Sequence, residues 1–247
     1  MPFFTRTTDT QNTSADRVAL VIGATGGVGQ KSVDDLLEKG FRVIVVGRDR
    51  HKLGALAARM EQYENKIHTI CADIQVTDDV RHIRDRIAEF GHLDLLILAA
   101  GITCNKTTGA TEQEIHDVMN SNLLGPVFVI NDLLPFLLRA DAPLVICLSS
   151  RAGKIGFADK GIYGASKAGL QLYMAALSSE PALNKIRFTV LCPGWINTSM
   201  AIDGGCQRAS DSILQPEDIS SLMIWLVNSP ERVRIKEIVI ETSPVEH

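Results

Sequence analysis

The sequence is poor in aromatic residues and has no excess of basic ones. Aromatic side chains make up 5% of its 247 residues, and 25 Lys and Arg against 29 Asp and Glu give a formal net charge of −4. A base-stacking surface needs aromatic side chains, and a surface that follows nucleic-acid phosphates needs clustered Lys and Arg. We therefore expect no nucleic-acid partner.

Three further absences narrow the class of protein. No apolar run reaches the length of about 18 residues that a membrane span requires, so we expect no membrane association. The five cysteines are odd in number and form no Cys-x-x-Cys pair, which favours reduced thiols and a cytoplasmic location over a disulfide framework. The six histidines form no His-Glu-x-x-His motif and no cluster with cysteine, so we expect no metal site.

What remains is the composition of an ordinary globular protein, with 45% apolar and 22% charged residues. Residues 1–16 are polar and rich in threonine, and they predict a flexible amino-terminal tail. No linker rich in Pro or Ser divides the rest of the chain, so residues 17–247 are predicted to form a single domain.

Short apolar runs alternate along the chain with segments of helical period. Strands are predicted at Val18–Ile22, Arg42–Val46, Lys66–Cys71, Leu93–Ala99, Leu144–Ser149, Arg187–Cys192 and Glu237–Ile240. Helices are predicted at 27–39, 50–61, 77–90, 112–139, 162–178 and 217–228, the fourth opening on a capping box of Thr111 and Glu114. Continuous apolar runs are typical of strands buried on both faces. The pattern predicts an α/β fold: a doubly wound parallel sheet of about seven strands with helices on both faces.

The first strand runs directly into a glycine-rich turn, Gly23-Ala-Thr-Gly-Gly-Val-Gly29, and then into a helix. Glycines allow a tight turn and let backbone N–H groups approach a pyrophosphate, and the helix amino terminus adds partial positive charge. The alternative is a glycine-rich turn with no ligand. The position at the first strand-to-helix junction favours a dinucleotide site.

The second strand ends in Gly47-Arg48-Asp49. An acidic residue here would hold the ribose 2′-hydroxyl of NAD, whereas Arg48 suits the 2′-phosphate of NADP. This favours NADP(H) over NAD(H), although Arg48 as a surface charge paired with Asp49 is an alternative. Asp73 follows the third strand, where it either accepts a hydrogen bond from the adenine amino group or caps the next helix.

The fifth strand leads into Ser149-Ser150. Tyr163 follows thirteen residues after Ser150, and Lys167 lies four residues after Tyr163. On a helix this spacing puts both side chains on one face, with Cβ atoms about 5–6 Å apart. A nearby ammonium group lowers the pKa of a phenol, which makes it a better acid–base catalyst near neutral pH. A core tyrosine and a surface lysine are the alternative. Ser150 follows a strand of the same sheet as the predicted phosphate site, and this favours a catalytic role for Tyr163 and Lys167 over that alternative.

These residues resemble the short-chain dehydrogenase/reductase family, whose fold is Rossmann-like. The likeness spans about residues 17–200 and rests on Gly23-xxx-Gly27-x-Gly29, Asp73, Leu98-Ala-Ala-Gly101, Asn122-Leu-Leu-Gly125, Ser150, Tyr163-xxx-Lys167 and Pro193-Gly194-xxx-Thr198. The resemblance implies a nicotinamide cofactor and redox chemistry between a carbonyl and an alcohol. The sequence departs from the family pattern at Ile22, where threonine is usual, and at Leu98, where asparagine is usual.

The resemblance also implies a role for each matched residue. Tyr163 would be the general acid, Ser150 would bind the substrate carbonyl, Lys167 would bind the nicotinamide ribose and lower the Tyr163 pKa, and Asn122 would hold a water beside Lys167. The remaining cofactor contacts would be Gly23, Thr25, Gly26, Gly27, Val28, Gly29, Arg48, Asp73, Ile74, Ala99, Ala100, Gly101, Pro193, Gly194, Ile196 and Thr198.

The segment at about 199–215 is predicted to cover the active site, with Gly204-Gly205 as a hinge. Arg208 in this segment either binds a substrate carboxylate or is a solvated surface charge. Trp195 and Met200 either line the nicotinamide side of the pocket or only pack against neighbouring side chains. Leu98, Thr103 and Cys104 follow the fourth strand and are further candidates for the pocket lining.

The predicted function is an NADP(H)-dependent oxidoreductase (a carbonyl reductase) acting on a small-molecule carbonyl or alcohol. The alternative is a non-catalytic NADP(H)-binding redox sensor or regulatory module on the same fold, which the changes at Ile22 and Leu98 leave open. Helices 112–139 and 162–178 are apolar on more than one face, and the family commonly associates through them. We therefore expect a homodimer or homotetramer.

Overall fold

The computed structural model describes residues 17–243. The predicted flexible tail, residues 1–16, lies outside the described residues. Within them, seven strands form one sheet in which every neighbouring pair is parallel, in the order β3-β2-β1-β4-β5-β6-β7. The strands are β1 Val18–Ile22, β2 Arg42–Gly47, β3 Ile67–Cys71, β4 Leu95–Leu98, β5 Leu144–Leu148, β6 Arg187–Pro193 and β7 Glu237–Ile240.

Helices cover both faces of the sheet, which confirms the predicted fold class and a single domain. They are α1 Gly27–Glu38, α2 Arg50–Arg59, α3 Thr77–Ala88, α4 Glu112–Met119, α5 Gly125–Leu137, α6 Gly161–Leu177, α7 Ser199–Asp203 and α8 Pro216–Asn228. One core lies between the sheet and α1, α2 and α8, and the other between the sheet and α3, α5 and α6. The five residues of β1 are all buried because they alternate between these two cores.

The order of the strands decides where a ligand can bind. The chain passes from β1 outward to β2 and β3, and then returns to place β4 on the other side of β1. The loops after β1 and β4 therefore leave the sheet in opposite directions, and a crevice opens between them at the carboxyl ends of the strands. The glycine turn after Ile22 and the loop after Leu98 border this crevice.

The prediction of one regular helix at 112–139 is wrong in its middle. Thr111 and Glu114 form the predicted capping box at its start, but a π-helical turn at Asn120–Leu124 separates α4 from α5. A π turn inserts one extra residue, so it changes which side chains face the sheet, and such turns are frequent at functional sites. The apolar pattern on either side is helical and does not reveal the insertion.

The fourth strand is shorter than predicted, because only Leu95–Leu98 pairs with both β1 and β5. Leu93, two residues before this strand, donates its N–H to the carbonyl of Phe136 near the end of α5. No helix within residues 17–243 is long and apolar enough to cross a membrane. Across the same residues, no group of three or more His, Cys, Asp or Glu side chains is placed to hold a metal ion.

Two cysteines lie on the central strands and are fully buried. Burial raises the pKa of the Cys147 thiol to about 12 and that of Cys192 to about 11. Both groups are thus protonated at neutral pH, and a protonated thiol is a weak nucleophile. Cys71, at the end of β3, is exposed.

We expect a thiol-alkylating reagent at about pH 8 to modify Cys71 in the folded protein and to leave Cys147 and Cys192 intact until the protein unfolds, because only Cys71 is accessible and the other two are held protonated. Peptide mass spectrometry before and after addition of denaturant measures this. Alkylation of Cys147 in the folded protein at the rate of Cys71 would contradict the expectation.

Candidate active site

The glycine turn after β1 approaches the loop after β4 so closely that no side chain fits between them. Gly23 has a φ of +82°, and a Cβ placed on it would lie 2.5 Å from the Ala100 backbone nitrogen. A Cβ on Gly29, one turn into α1, would lie 2.2 Å from the Gly23 carbonyl oxygen. Glycine at both positions therefore lets the chain turn sharply and bring the amino terminus of α1 under the crevice.

The amino terminus of α1 suits a pyrophosphate group. Its N-cap, Gly26, offers no side chain to cap the helix, and the first turn contains no acidic residue. Gly26 and Gly27 are exposed. The first N–H groups of a helix lack partners within the helix and carry partial positive charge, so an anion can bind to them. The glycine cradle and this open helix end fit the phosphates of a dinucleotide.

Arg48 and Asp73 meet at the ends of β2 and β3. A guanidinium nitrogen of Arg48 lies 3.5 Å from a carboxylate oxygen of Asp73, and both side chains are partly exposed. Asp49 accepts hydrogen bonds from the backbone N–H groups of His51 and Lys52 at the start of α2, so the interpretation that Arg48 pairs with Asp49 is wrong. This capping lowers the pKa of Asp49.

Asp73 does not cap the following helix. Its carboxylate accepts the Gln75 backbone N–H at 3.0 Å, whereas the N-cap of α3 is Val76. Ile74 is buried and packs towards Gly125, where α5 begins. Asp73 therefore lies beyond the carboxyl end of β3 with Arg48 as its charged neighbour.

Asn122 joins the loop after β4 to α6 from within the π turn. Its amide is fully buried: Oδ1 accepts the Ile102 N–H at 2.8 Å, and Nδ2 donates to the Ile102 carbonyl at 2.9 Å and to Ser166 Oγ at 3.1 Å. Ser166 Oγ in turn donates to the Tyr163 carbonyl at 2.7 Å. The π turn thus places one amide between two segments that border the crevice.

Tyr163 and Lys167 lie on the face of α6 that borders the crevice. The Lys167 ammonium is 5.8 Å from the centre of the Tyr163 ring and donates to the Leu148 carbonyl at 3.1 Å. Lys167 is 3% exposed, and no described carboxylate lies within 4 Å of its ammonium. It is therefore a buried cation held beside a phenol.

Ser150 is fixed by one hydrogen bond within its own turn and one to α6. Its hydroxyl accepts the Ala152 N–H at 3.1 Å, and its carbonyl accepts a hydrogen bond from Gln171 Nε2 at 2.9 Å. A Cβ on Gly164, the residue after Tyr163, would lie 2.6 Å from the Ala152 carbonyl oxygen. Glycine at 164 therefore lets the segment that carries Ser150 pack directly against the helix that carries Tyr163.

A cavity of about 600 Å³ opens at this place and contacts Ser150, Tyr163 and Lys167 together. Of the other residues named from sequence, it is lined by Ala99, Ala100, Gly101, Thr103, Pro193, Gly194, Trp195, Ile196, Thr198, Met200 and Arg208. Leu98 and Cys104 were expected in this lining and are not part of it. Leu98 ends β4 and packs in the core, and Cys104 is buried.

The predicted lid is closed at its base by two backbone hydrogen bonds. The Asn197 N–H donates to the Leu214 carbonyl at 2.7 Å, and the Leu214 N–H donates to the Trp195 carbonyl at 3.1 Å. Between these ends lies α7, whose C-cap Gly204 packs against the Trp195 ring, followed by Gly205 with a φ of +81°.

Sequence reasoning missed two polar groups at the cavity. Arg151 pairs with Glu241, and both line the cavity. Lys160, the N-cap residue of α6, contacts Asn105 and Gly204 there. Its spacing of three residues before Tyr163 was the only available signal, since side chains three apart are neighbours on a helix.

A family model described as short chain dehydrogenase matches residues 17–207. An uncharacterized oxidoreductase of Staphylococcus saprophyticus is 27% identical over 228 residues, which cover 91% of this chain and 97% of the relative. A short chain dehydrogenase from Escherichia coli CFT073, solved in complex with NADPH, is 27% identical with a TM-score of 0.84, over 91% of this chain and 96% of that one. An alcohol dehydrogenase from Thermococcus sibiricus, complexed with 5-hydroxy-NADP, also has a TM-score of 0.84, over 94% and 98% of the two chains; at 21% identity this likeness concerns the fold alone.

We expect Asn122→Ala to lower the free energy of unfolding by roughly 1–3 kcal/mol, because it leaves the buried polar groups around it without partners. Urea unfolding followed by circular dichroism measures the change. Asn131→Ala is the matched control, since Asn131 lies in the adjoining helix α5 and its amide is exposed. Equal losses in the two variants would contradict the importance of the buried amide.

Proposed function

The chain belongs to the short chain dehydrogenase family, and from this premise we propose that it is an NADP(H)-dependent oxidoreductase that interconverts a carbonyl and a secondary alcohol. The observation that carries the proposal is that Ser150, Tyr163 and Lys167 border one cavity. That cavity opens at the same edge of the sheet as the glycine cradle. A dinucleotide held by the cradle would extend its nicotinamide towards these three side chains.

The cofactor would lie across the crevice between β1 and β4. The turn Gly23–Gly29 and the first turn of α1 would hold the pyrophosphate, Arg48 the 2′-phosphate, and Asp73 and Ile74 the adenine. Residues 99–101 and the segment from Pro193 to Thr198 would border the nicotinamide. The E. coli relative bound to NADPH supports NADP(H) as the cofactor. The preference over NAD(H) rests on Arg48 and on the absence of an acidic side chain at Gly47.

When bound, the nicotinamide supplies a hydride in the direction of reduction and accepts one in the direction of oxidation. Tyr163 transfers a proton from its hydroxyl to the carbonyl oxygen, which becomes the alcohol oxygen. Ser150 donates a hydrogen bond to that oxygen and orients the substrate. Lys167 stabilises the negative charge left on the phenol oxygen, because its ammonium is buried beside the ring.

Asn122 is a positioning residue for Tyr163 and Lys167. Its amide fixes the backbone of Ile102, which follows Gly101 beside the Lys167 ammonium, and, through Ser166, the turn of α6 that carries Tyr163. A water molecule held there would connect the Lys167 ammonium to solvent and return a proton to Tyr163 after each turnover. Segment 199–215 would act as the lid over the substrate, with Gly204-Gly205 as its hinge.

We also propose that the protein forms a homo-oligomer. Leu124 and Phe128 are exposed at the start of α5, and Leu172 is exposed on α6. Apolar side chains at these positions suit contact with a second copy of the chain, as expected for a homodimer or homotetramer. A cytoplasmic location also remains a prediction.

We expect Tyr163→Phe to reduce kcat for NADPH-dependent reduction of small ketones by at least about a hundredfold, because it removes the only proposed proton donor and little volume. NADPH oxidation followed at its absorbance band measures the rate, and NADPH fluorescence measures binding, which should be preserved. Tyr173→Phe is the matched control on the same helix, since the Tyr173 hydroxyl bonds Asn131.

An equally active Tyr163→Phe variant would rule out the proposed acid. Binding of NADPH by the unmodified protein without turnover of any carbonyl compound would instead favour the non-catalytic sensor or regulatory module.

We expect Arg48→Ala to weaken NADPH binding by about tenfold while NADH binding changes little, because only NADPH carries the 2′-phosphate and one lost charged contact is worth about 1.4 kcal/mol. Fluorescence titration gives both dissociation constants. Arg59→Ala is the control, since it removes the same charge at the other end of α2. An unchanged ratio of the two constants would show that Arg48 is a surface charge only.

A further inference from the structure

Lys160 occupies an unusual position at the start of the helix that carries Tyr163. It is the N-cap residue of α6 and makes no side-chain capping bond to the helix. Lysine is not a favoured N-cap residue, and a cation is unfavourable at the positive end of a helix dipole. Asp159, directly before it, has a φ of +57°. Aspartate adopts this left-handed conformation more readily than most residues, so the unfavourable N-cap lysine is the feature that needs an explanation.

The ammonium group of Lys160 points into the cavity rather than into solvent. It donates to the Asn105 side-chain oxygen, to the Gly204 carbonyl at 2.7 Å and, at the longer distance of 3.5 Å, to Thr103 Oγ1. It also lies 5.6 Å from the centre of the Trp195 ring. Lys160 and all four of these residues line the cavity. The ammonium therefore lies in the cavity wall, where it joins the predicted lid to the loop after β4.

All these partners are neutral. Among the described residues, no carboxylate oxygen lies within 4 Å of the Lys160 ammonium. Burial lowers the pKa of Lys160, and the charge of the neighbouring Asp159, which acts in the opposite direction, offsets this only in part. An anionic ligand that entered the cavity would supply a counter-ion.

The lining of the cavity as a whole has a positive formal charge, like Lys160 itself. Its lining contains four cationic side chains, Arg151, Lys160, Lys167 and Arg208, and two carboxylates, Asp159 and Glu241. Glu241 is paired with Arg151, and the proposed function uses Lys167 beside the cofactor. A positive cavity in a chain of net charge −4 favours the entry of anions over neutral molecules.

We propose that the substrate of this site is an oxo acid, or the matching hydroxy acid, and that Lys160 binds its carboxylate while Tyr163 faces its carbonyl. This assignment rests on the proposed carbonyl–alcohol chemistry and names the substrate class for it. Lys160 and Tyr163 are three residues apart where α6 begins, and both line the cavity. A short chain between carboxylate and carbonyl therefore suits the two contacts.

The test compares oxo acids with their own methyl esters, which keep the carbonyl and remove the charge. With NADPH present, kcat/KM is measured for 2-, 3- and 4-oxo acids of increasing length and for each ester. We expect the unmodified enzyme to prefer the best acid over its ester by at least about tenfold. Lys160→Gln should reduce that preference by about tenfold or more, mainly through a higher KM for the acid, because the ester has no carboxylate for Lys160 to bind.

Two further variants separate charge from structure. Lys160→Arg keeps the cation and should retain most of the preference for the acid. Lys154→Gln removes a lysine that pairs with Glu237 outside the cavity lining and should leave the preference unchanged. Loosening of the lid alone would lower the rates for acid and ester together and would not alter their ratio.

Three outcomes would overturn the proposal in distinguishable ways. A preference for esters in the unmodified enzyme, or the same acid-to-ester ratio in Lys160→Gln, refutes the carboxylate assignment and leaves the proposed carbonyl chemistry intact. Turnover of neither acids nor esters refutes the carbonyl chemistry itself, and with it the substrate class.

Discussion

The parallel pairing of β1 with both β2 and β4 is the constraint on which the rest of the structure depends. Because β4 returns to the side of β1 away from β2, the loops that follow β1 and β4 part at one edge of the sheet. The contact between Gly23 and Ala100 closes the floor of the crevice that results. Both binding regions, the open helix end of α1 and the cavity beside α6, lie along this edge.

Helix α6 supplies the side chains of the proposed reactive site in that crevice. It presents Lys160, Tyr163 and Lys167 within two turns, and it is fixed on one side by Gln171 and on the other by Ser166. The π turn at Asn120–Leu124 matters for the same reason, since it places Asn122 where one amide can bond both the loop after β4 and α6. Two cations on one helix therefore flank the phenol, one buried beside its ring and one in the wall of the cavity.

Under the proposed function, Lys167 serves the chemistry and Lys160 binds the substrate. Lys167 is almost fully buried, and its ammonium is close to the phenol ring. Lys160 is bonded only to neutral oxygens that belong to the loop after β4 and to the lid. A negative group bound at Lys160 would contact both the loop after β4 and the predicted lid, so under the proposed function the charge of the substrate would be coupled to the closing of the cavity.

Local sequence patterns determined much of this protein. The glycine turn, the capping box of Thr111 and Glu114 and the four-residue spacing of Tyr163 and Lys167 involve contacts within a few residues, so periodicity and residue type are sufficient to predict them. Only the tertiary structure decided which distant groups meet. The Arg48–Asp73 pair, the burial of Leu98, the π turn within 112–139 and the contacts of Lys160 depend on how strands and loops far apart in sequence pack together, and no pattern within one segment encodes that packing.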